Sequence, residues 1–358
     1  VQRVGHRRRD GGDRRREPRG SGGGHPSTPT VGGGSGSSTD SDGNGDGSAS
    51  TPEGGALVTL DTYETILREV VAIANEETLV AASARALPVL DGLADLVGQV
   101  IDSGAASGDG LAFVSREPLN DDSDVTADYT FSCANGGSVV VRSYDDASAG
   151  GPFVTRMAVD GTCTIGDAAY EGSADKGLAF AERTSTLETF QGFSITGADG
   201  DSLVLDGEYS TTTDEVGVFF EKGWNDASLI VVDAGETTRV EDYTSYRRSV
   251  AASTLVEEPP SAKADVTFSV TAPWSSNEML AVVVDLDLVD ADLDPNDRAS
   301  TYPGQWSAGT LRVTAPDGSG LTLSPETGDP ATFSVFVDGE GREPIVRDWA
   351  DGFQVSCP

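Results

Sequence analysis

Between residues 110 and 255, apolar and polar residues alternate along the chain with a period of two. Segments such as DVTADYTFSC, GGSVVVRSY, SLVLDGEYSTT and ASLIVVDAG follow this pattern, and Gly-Gly, Asp-Gly and Gly-Asp-Gly sequences lie between them. Such alternation is typical of strands with one buried face, and short glycine-rich links favour hairpins. The pattern therefore predicts an antiparallel meander and argues against βαβ units.

A segment with helical periodicity precedes the strands. Within residues 56–107, apolar residues recur every three or four positions, first in Tyr63–Ala74 and again in Leu90–Ile101. The pattern restarts either near Asn75-Glu76-Glu77 or at Pro88. We expect two or three helices whose apolar stripes pack against the sheet.

The flanking regions complete this division of the chain. Residues 1–55 consist mainly of Arg, Gly, Ser, Thr and Asp, a composition that predicts a disordered tail or tether. Pro259-Pro260 interrupts the strand pattern, so we expect an antiparallel β domain in residues 108–255 and a second β region in residues 256–358. The predicted fold class is mainly β: a large curved antiparallel meander with a small N-terminal helical subdomain and a disordered tail.

The chain is strongly acidic. Its 358 residues carry 59 acidic and 24 basic side chains, which gives a formal net charge of −35. A field of this sign repels nucleic acids and anionic membranes, and it suits divalent cations, basic partners or a saline medium. We therefore expect no nucleic-acid partner and an acidic, salt-adapted surface. No apolar run is long enough for a transmembrane helix.

Histidine chemistry is excluded from the predicted folded part, because His6 and His25 are the only histidines and both lie in the tail. No P-loop, nucleophile elbow or dinucleotide-binding motif is present, so we expect no catalytic residues. Paired carboxylates remain, and they make a carboxylate-dependent glycan hydrolase an alternative. The tryptophans would stack sugars in such an enzyme or belong to the core: Trp224, Trp274, Trp306 and Trp349.

Three cysteines carry information about the compartment. Cys133 and Cys163 lie 30 residues apart in strand-like segments, and no C-x-x-C motif occurs. A disulfide between these two cysteines fits an exported protein, whereas three buried thiols in a cytosolic protein are the alternative. Cys357 has no evident partner in either case.

One stretch of the tail matches the template of a calcium-binding loop. In residues 42–53, the side chains of Asp42, Asn44, Asp46 and Glu53 stand where calcium ligands are expected. An EF-hand requires a helix on each side, and the preceding GGGSGSSTDS does not predict one. A solvated tether is therefore the alternative interpretation of this stretch.

A second acidic run, DLDLVDADLDPNDR, lies later in the chain. Its loop offers Asp290, Asp292, Asp294 and Asp297 as possible ligands of a calcium ion. The alternative is an acidic strand end exposed to water. Calcium is thus the one cofactor that the sequence makes possible.

Several elements follow one another in a characteristic order. A Gly/Ser/Asp tether in residues 32–55 precedes AIANEETLVAASARAL, then FSCANGGSVVV and VDGTCTI, and finally GTLRVTAPDGSGLTL with FSVFVDGEGREPIVRDWADG. This order resembles a group of uncharacterised, lipid-anchored, β-rich envelope proteins of Gammaproteobacteria. No signal peptide is visible, and GGGHPSTPTVGGGSG lacks the lipobox cysteine of that group.

The resemblance implies an exported domain that is periplasmic, tethered to the outer membrane, or secreted. It carries no enzymatic activity over to this chain. We expect a non-enzymatic cell-envelope protein with a structural or binding role. A calcium-dependent adhesion or binding module is one alternative to this expectation, and the glycan hydrolase is the other.

Overall fold

A computed structural model describes most of the chain from residue 56 onward. The predicted tail of residues 1–55 lies outside the described part. The described residues are 56–120, 123–144, 153–180, 183–214, 219–250, 261–289, 306, 308–326, 332–339, 343–349 and 353.

Within the described residues, two α-helices precede sixteen strands. The helices are α1 (Tyr63–Ala74) and α2 (Glu77–Ser103). The first eight strands are β1 (Ser107–Gly108), β2 (Leu111–Asn120), β3 (Ser123–Cys133), β4 (Ser138–Tyr144), β5 (Phe153–Ile165), β6 (Ala168–Phe180), β7 (Arg183–Thr196) and β8 (Ser202–Asp214). The other eight are β9 (Phe219–Asp233), β10 (Glu236–Val250), β11 (Ser261–Thr271), β12 (Met279–Val289), β13 (Ala308–Thr314), β14 (Gly320–Pro325), β15 (Thr332–Val337) and β16 (Ile345–Asp348).

All of these strands form one antiparallel sheet in the order in which they occur along the chain. The predicted mainly β meander with helices at its N-terminal side is therefore confirmed. The expected division near residue 256 falls between β10 and β11. These strands are paired neighbours, with registers that run from Arg239 opposite Thr271 to Val250 opposite Ser261. The two β regions consequently belong to a single sheet.

The strands bury one face of the sheet and expose the other. In β11 the buried residues occur at every second position, and Val266, Phe268 and Val270 are among them. We call the face that carries these residues and contacts the helices the inner face, and the opposite face the outer face. Apolar residues of both helices and of the strands form one continuous core. Burial of this apolar surface supplies the main stabilising term, about 25 cal/mol per Å².

The helices cross the inner face one after the other. Tyr63, at the start of α1, contacts Arg347 on β16, whereas Ile73, near its end, accepts a hydrogen bond from Tyr243 on β10. Helix α2 then packs chiefly on β5, with further contacts to β4 and β8. Of the two predicted restart positions, the structure has the one near Glu76, whose φ of 65° separates α1 from α2. Helix α2 continues through Pro88.

A line of β-bulges crosses β5 to β10. Registers shift in each successive pair of these strands. Bulges bend a strand and increase its twist, so we expect this line of bulges to curve the sheet. A Cβ at Gly172 would lie 2.2 Å from the carbonyl oxygen of Gly192, which explains the need for glycine there. One residue with positive φ lies in the bulged part of each strand: Gly161, Gly172, Gly192, Gly207, Asp226 and Asp242.

Candidate functional site

A buried carboxylate lies at the junction of α1 and α2. The Glu76 side chain is fully buried, with Oε2 3.1 Å from Lys222 Nζ on β9 and Oε1 3.4 Å from Arg247 Nε on β10. The Ser245 hydroxyl donates a hydrogen bond to Oε1 at 2.7 Å. A buried charge is strongly destabilising unless it is paired. The Glu76 carboxylate is therefore paired with two cations and one hydroxyl, all of which come from the sheet.

Strand β10 also caps the C-terminal end of α1. The Tyr243 hydroxyl donates to the carbonyl oxygen of Ile73 at 3.2 Å, and the Arg247 guanidinium donates to that of Ala74. The last carbonyls of a helix lack intrahelical donors and carry partial negative charge. Arg247 thus neutralises Glu76 and satisfies the helix end at once. The cluster around Glu76 anchors the helices to the sheet.

Neighbouring groups on the inner face have shifted pKa values. Burial, together with the negative charges of Glu76 and Glu188, raises the pKa of Tyr209 to about 12. Burial also raises the pKa of Glu188, against the opposing effect of Lys176, whose Nζ lies 3.9 Å from its Oε1. The ring of Tyr209 packs on Trp224 with a centroid distance of 4.9 Å. These groups extend the anchoring cluster into the aromatic core.

The outer face of β8, β9 and β10 carries an open pocket of about 240 Å³. Gly223 is among the residues that line it. A Cβ at Gly223 would stand 2.2 Å from the carbonyl oxygen of Ser245, so the close approach of β9 to β10 requires glycine there. It is lined by outer-face polar residues of three strands, namely Ser210, Thr212, Glu221, Asn225, Thr244 and Tyr246. Three residues whose side chains belong to the inner face line it as well: Lys222, which is paired with Glu76, Trp224 and Ser245.

The Glu221 carboxylate, which lines this pocket, contacts two neighbouring side chains. The Tyr246 hydroxyl donates to Glu221 Oε1 at 2.7 Å, and Arg248 Nε lies 3.9 Å from the same oxygen. Burial and this hydrogen bond raise the pKa of Tyr246. The Arg248 guanidinium also lies over the ring of Phe219 at 5.3 Å. The pocket consequently presents hydroxyl and amide groups with little net charge.

Two aspartates adjoin the pocket on the outer face. Asp265 lies opposite Tyr246 in the β10–β11 register and opposite Asp285 in the β11–β12 register. Lys263 Nζ lies 3.0 Å from Asp265 Oδ2 and 4.0 Å from Asp285 Oδ1. Burial raises the pKa of Asp265, and the neighbouring Asp285 raises it further, while Lys263 opposes both. The structure thus brings two carboxylates together beside the pocket.

The cysteines predicted to pair are adjacent. The sulfur atoms of Cys133 on β3 and Cys163 on β5 lie at disulfide distance, and their Cα atoms are 5.5 Å apart. The bond spans β4, which lies between these two strands in the sheet. Cys357 lies outside the described residues.

The predicted calcium ligands lie outside the described residues, so the calcium hypothesis stays a prediction. This applies to both sets, namely Asp42, Asn44, Asp46 and Glu53 of the tail and Asp290, Asp292, Asp294 and Asp297 after β12. Among the residues that the structure does describe, no group of three or more His, Cys, Asp or Glu side chains is arranged to hold a metal ion.

The tryptophans belong to the core. Trp224, Trp306 and Trp349 are buried, and Trp274 is half-buried and packs against the same core. The interpretation as sugar-stacking groups is therefore wrong for Trp224, Trp306 and Trp349, because their rings are covered by other side chains, whereas part of Trp274 is accessible. The interpretation as core residues is confirmed.

Sequence reasoning did not single out Glu76, Arg247 or the pocket residue Tyr246. One signal was present, since the chain has three lysines among 358 residues. Each lysine lies in an ion pair: Lys176 with Glu188, Lys222 with Glu76, and Lys263 with Asp265. In a chain with so few lysines, the position of each lysine thus indicates a carboxylate that is held in an ion pair.

Comparisons with protein-family models, curated proteins and solved structures find no match to this chain. Within the described ranges, neither helix is long and apolar enough to cross a membrane. The features that bear on its function are therefore the pocket, the disulfide and the charge of the molecule itself.

Proposed function

We propose that this chain is a non-enzymatic, exported protein of the cell envelope whose outer face binds a ligand. The observation that carries the binding role is the pocket of β8, β9 and β10. It is concave and is lined by polar groups from three strands. Concave sites with a few convergent polar groups are where small ligands bind.

The non-enzymatic part of the proposal rests on how the ionisable groups are used. Glu76 forms ion pairs with Lys222 and Arg247. Arg247 also donates a hydrogen bond to the end of α1. In the pocket, Glu221 already accepts a hydrogen bond from Tyr246 and faces Arg248. A general acid or base must lie within hydrogen-bond reach of the proton that it exchanges with a substrate, and these side chains already bind neighbouring protein groups.

Export is supported by two features. The Cys133–Cys163 pair closes a bond that persists in oxidising compartments and is rare in the reducing cytosol. The net charge of −35 also suits a protein that works in ionic surroundings away from nucleic acids. The resemblance to lipid-anchored envelope proteins points in the same direction.

The proposal is tested on the full chain in two steps. Cysteines are alkylated in intact cells before lysis, and we expect one free thiol per chain if the protein is exported. The purified protein is then incubated with soluble polysaccharides, and we expect no release of reducing ends. Three free thiols would contradict export, and reducing-end release would contradict the non-enzymatic role.

A glycan hydrolase is the second candidate, because Asp265 and Asp285 lie side by side next to the pocket. If the chain is such an enzyme, reducing-end release should occur and should be lost in both Asp265→Asn and Asp285→Asn. Asp233→Asn, at an exposed position on β9, is the matched control. Activity that survives both substitutions would exclude this pair as the catalytic carboxylates.

A further inference from the structure

We propose that the outer-face pocket of β8, β9 and β10 binds one ring of a neutral glycan. This inference rests on the proposed binding function and names the chemical class of its ligand. Four features of the site favour such a ligand: its hydrogen-bonding groups, the ring of Tyr246, the local charge and the size.

The walls of the pocket match a ligand rich in hydroxyl groups. Ser210 and Thr244 each provide a hydroxyl that can donate and accept, and Asn225 provides an amide with separate donor and acceptor ends. The Thr212 hydroxyl is hydrogen-bonded to Ser185 at 3.1 Å and keeps part of its hydrogen-bonding capacity. A sugar hydroxyl also donates and accepts. A wall of mixed donors and acceptors therefore suits a polyol better than it suits a purely anionic or purely apolar ligand.

Tyr246 adds an apolar surface that is held in place. Its side chain is 41% exposed, and its hydroxyl is hydrogen-bonded to Glu221 at 2.7 Å. The ring is thus preorganised, so little conformational entropy is lost on binding. Aromatic rings combine a large apolar face with a polar tip. The C–H face of a pyranose can pack on such a ring while its hydroxyls reach the polar walls.

Charge favours a neutral ligand over an ionic one. Arg248 lies 3.9 Å from Glu221 and balances its charge, so an incoming cation would have to compete with Arg248. An anionic glycan would approach against the field of a chain with a net charge of −35. A neutral sugar meets neither obstacle.

The size of the site limits how much of a glycan it holds. Its volume of about 240 Å³ lies just below the 300–1,000 Å³ that is usual for drug-sized ligands. There is room for a single ring above Gly223. The remaining rings of an oligosaccharide would extend from the pocket over the outer face.

The test is calorimetric titration of the full chain with neutral oligosaccharides of glucose, mannose, galactose and N-acetylglucosamine. Uronate-containing and sulfated oligosaccharides serve as anionic probes, and tetramethylammonium serves as the cationic probe. We expect saturable binding of at least one neutral oligosaccharide. Tyr246→Ala should weaken that binding by about tenfold or more, because the packing surface is lost.

The matched control is Tyr144→Ala, which removes a 43% exposed tyrosine at the end of β4 and should leave the affinity unchanged. Ser210→Phe provides a second variant, since it fills the pocket from an exposed position without removing a buried group. This variant should abolish binding while the circular dichroism spectrum and thermal midpoint stay unchanged.

The inference is overturned if no neutral oligosaccharide binds, if Ser210→Phe leaves binding intact, or if tetramethylammonium binds in place of sugars. These failures are distinct from a failure of the proposed function. A protein that is exported and releases no reducing ends but ignores the sugars would contradict only the ligand class. Conversely, a protein that binds a sugar in the pocket and hydrolyses it would contradict only the non-enzymatic role.

Discussion

Arg247 Nε lies 3.4 Å from Glu76 Oε1, and both side chains are fully buried. The contact joins the junction of two helices to the tenth of sixteen strands, which makes it a long-range link between the N-terminal segment and the sheet. The Arg247 guanidinium also donates to the end of α1. Loss of Glu76 would remove the anion that Arg247 and Lys222 share, whereas loss of Arg247 would leave Glu76 paired with Lys222.

The first prediction concerns this link. Glu76→Ala leaves Arg247 and Lys222 without their shared anion, and removal of one partner of a buried pair typically costs 3–5 kcal/mol, so we expect about that loss in the free energy of unfolding. Urea titration measures it. Glu77→Ala, at the neighbouring exposed position, should change stability by less than about 0.5 kcal/mol. Equal effects of the two substitutions would show that the ion cluster does not anchor the helices.

The second prediction concerns the line of bulges. Gly172 has a φ of +77° and a Cβ position blocked by the backbone of β7. Gly172→Ala should therefore lower the free energy of unfolding by about 2 kcal/mol or more.

Gly177, in the same strand, is its control. A Cβ there would meet only ordinary contacts, the nearest at 3.6 Å. Gly177→Ala should be close to neutral in the same denaturation measurement. A neutral Gly172→Ala would mean that the bulge in β6 relaxes without cost.

The third prediction concerns the disulfide. Cys133 and Cys163 are separated by 30 residues. For a loop of this length the chain-entropy treatment gives a stabilisation of about 3–4 kcal/mol. Reductant should lower the urea midpoint of the wild type accordingly. The Cys133→Ser/Cys163→Ser double variant should have that lower midpoint from the start and be insensitive to reductant. Unreduced, unfolded protein should contain one free thiol, and a count of three would contradict the bond.

The fourth prediction concerns alkaline pH. The folded-state pKa of Tyr209 is about 12, above its ordinary value of 10.0, because burial and two nearby carboxylates oppose ionisation. A group with a raised folded pKa contributes its stability fully below its unfolded pKa and loses it as the pH rises through the folded one. Stability should therefore fall between pH 10 and about 12.

Tyr209→Phe removes the titrating hydroxyl and should reduce the fall in the free energy of unfolding across this window. Tyr144→Phe, at an exposed position, is the control and should leave the fall as it is in the wild type. Urea titrations at a series of pH values provide the comparison. If the slopes of the wild type and Tyr209→Phe coincide, the hydroxyl is not held in its neutral form by the fold.

The fifth prediction concerns cations. For a net charge of −35, we expect calcium and magnesium at matched ionic strength to raise the thermal midpoint equally, since both screen the repulsion among carboxylates. A specific ligand at about 100 times its dissociation constant would add roughly 2.7 kcal/mol. A calcium-specific rise that disappears in Asp290→Asn/Asp292→Asn would instead support the calcium-dependent module. Deletion of residues 42–53 would test the other loop.

The sequence by itself determined the local structure of this protein. Alternation with a period of two indicates which face of a strand is buried, and glycine-rich links indicate hairpins. A meander could therefore be predicted from residues that are close together in the chain. The helical stripe of Tyr63–Ala74 was equally readable. The pairing of Cys133 with Cys163 could also be anticipated, because both cysteines lie in strand-like segments, 30 residues apart.

Only the tertiary structure decided what lies far apart in the chain and close together in space. Glu76 meets Lys222 and Arg247 because the helices cross the inner face at β9 and β10, and no local pattern encodes that crossing point. The outer pocket likewise depends on the register that places Ser210 opposite Gly223. Periodicity is a property of a single segment, whereas register, bulges and helix placement arise from the packing of the whole core. That packing alone brings these side chains within reach of one another.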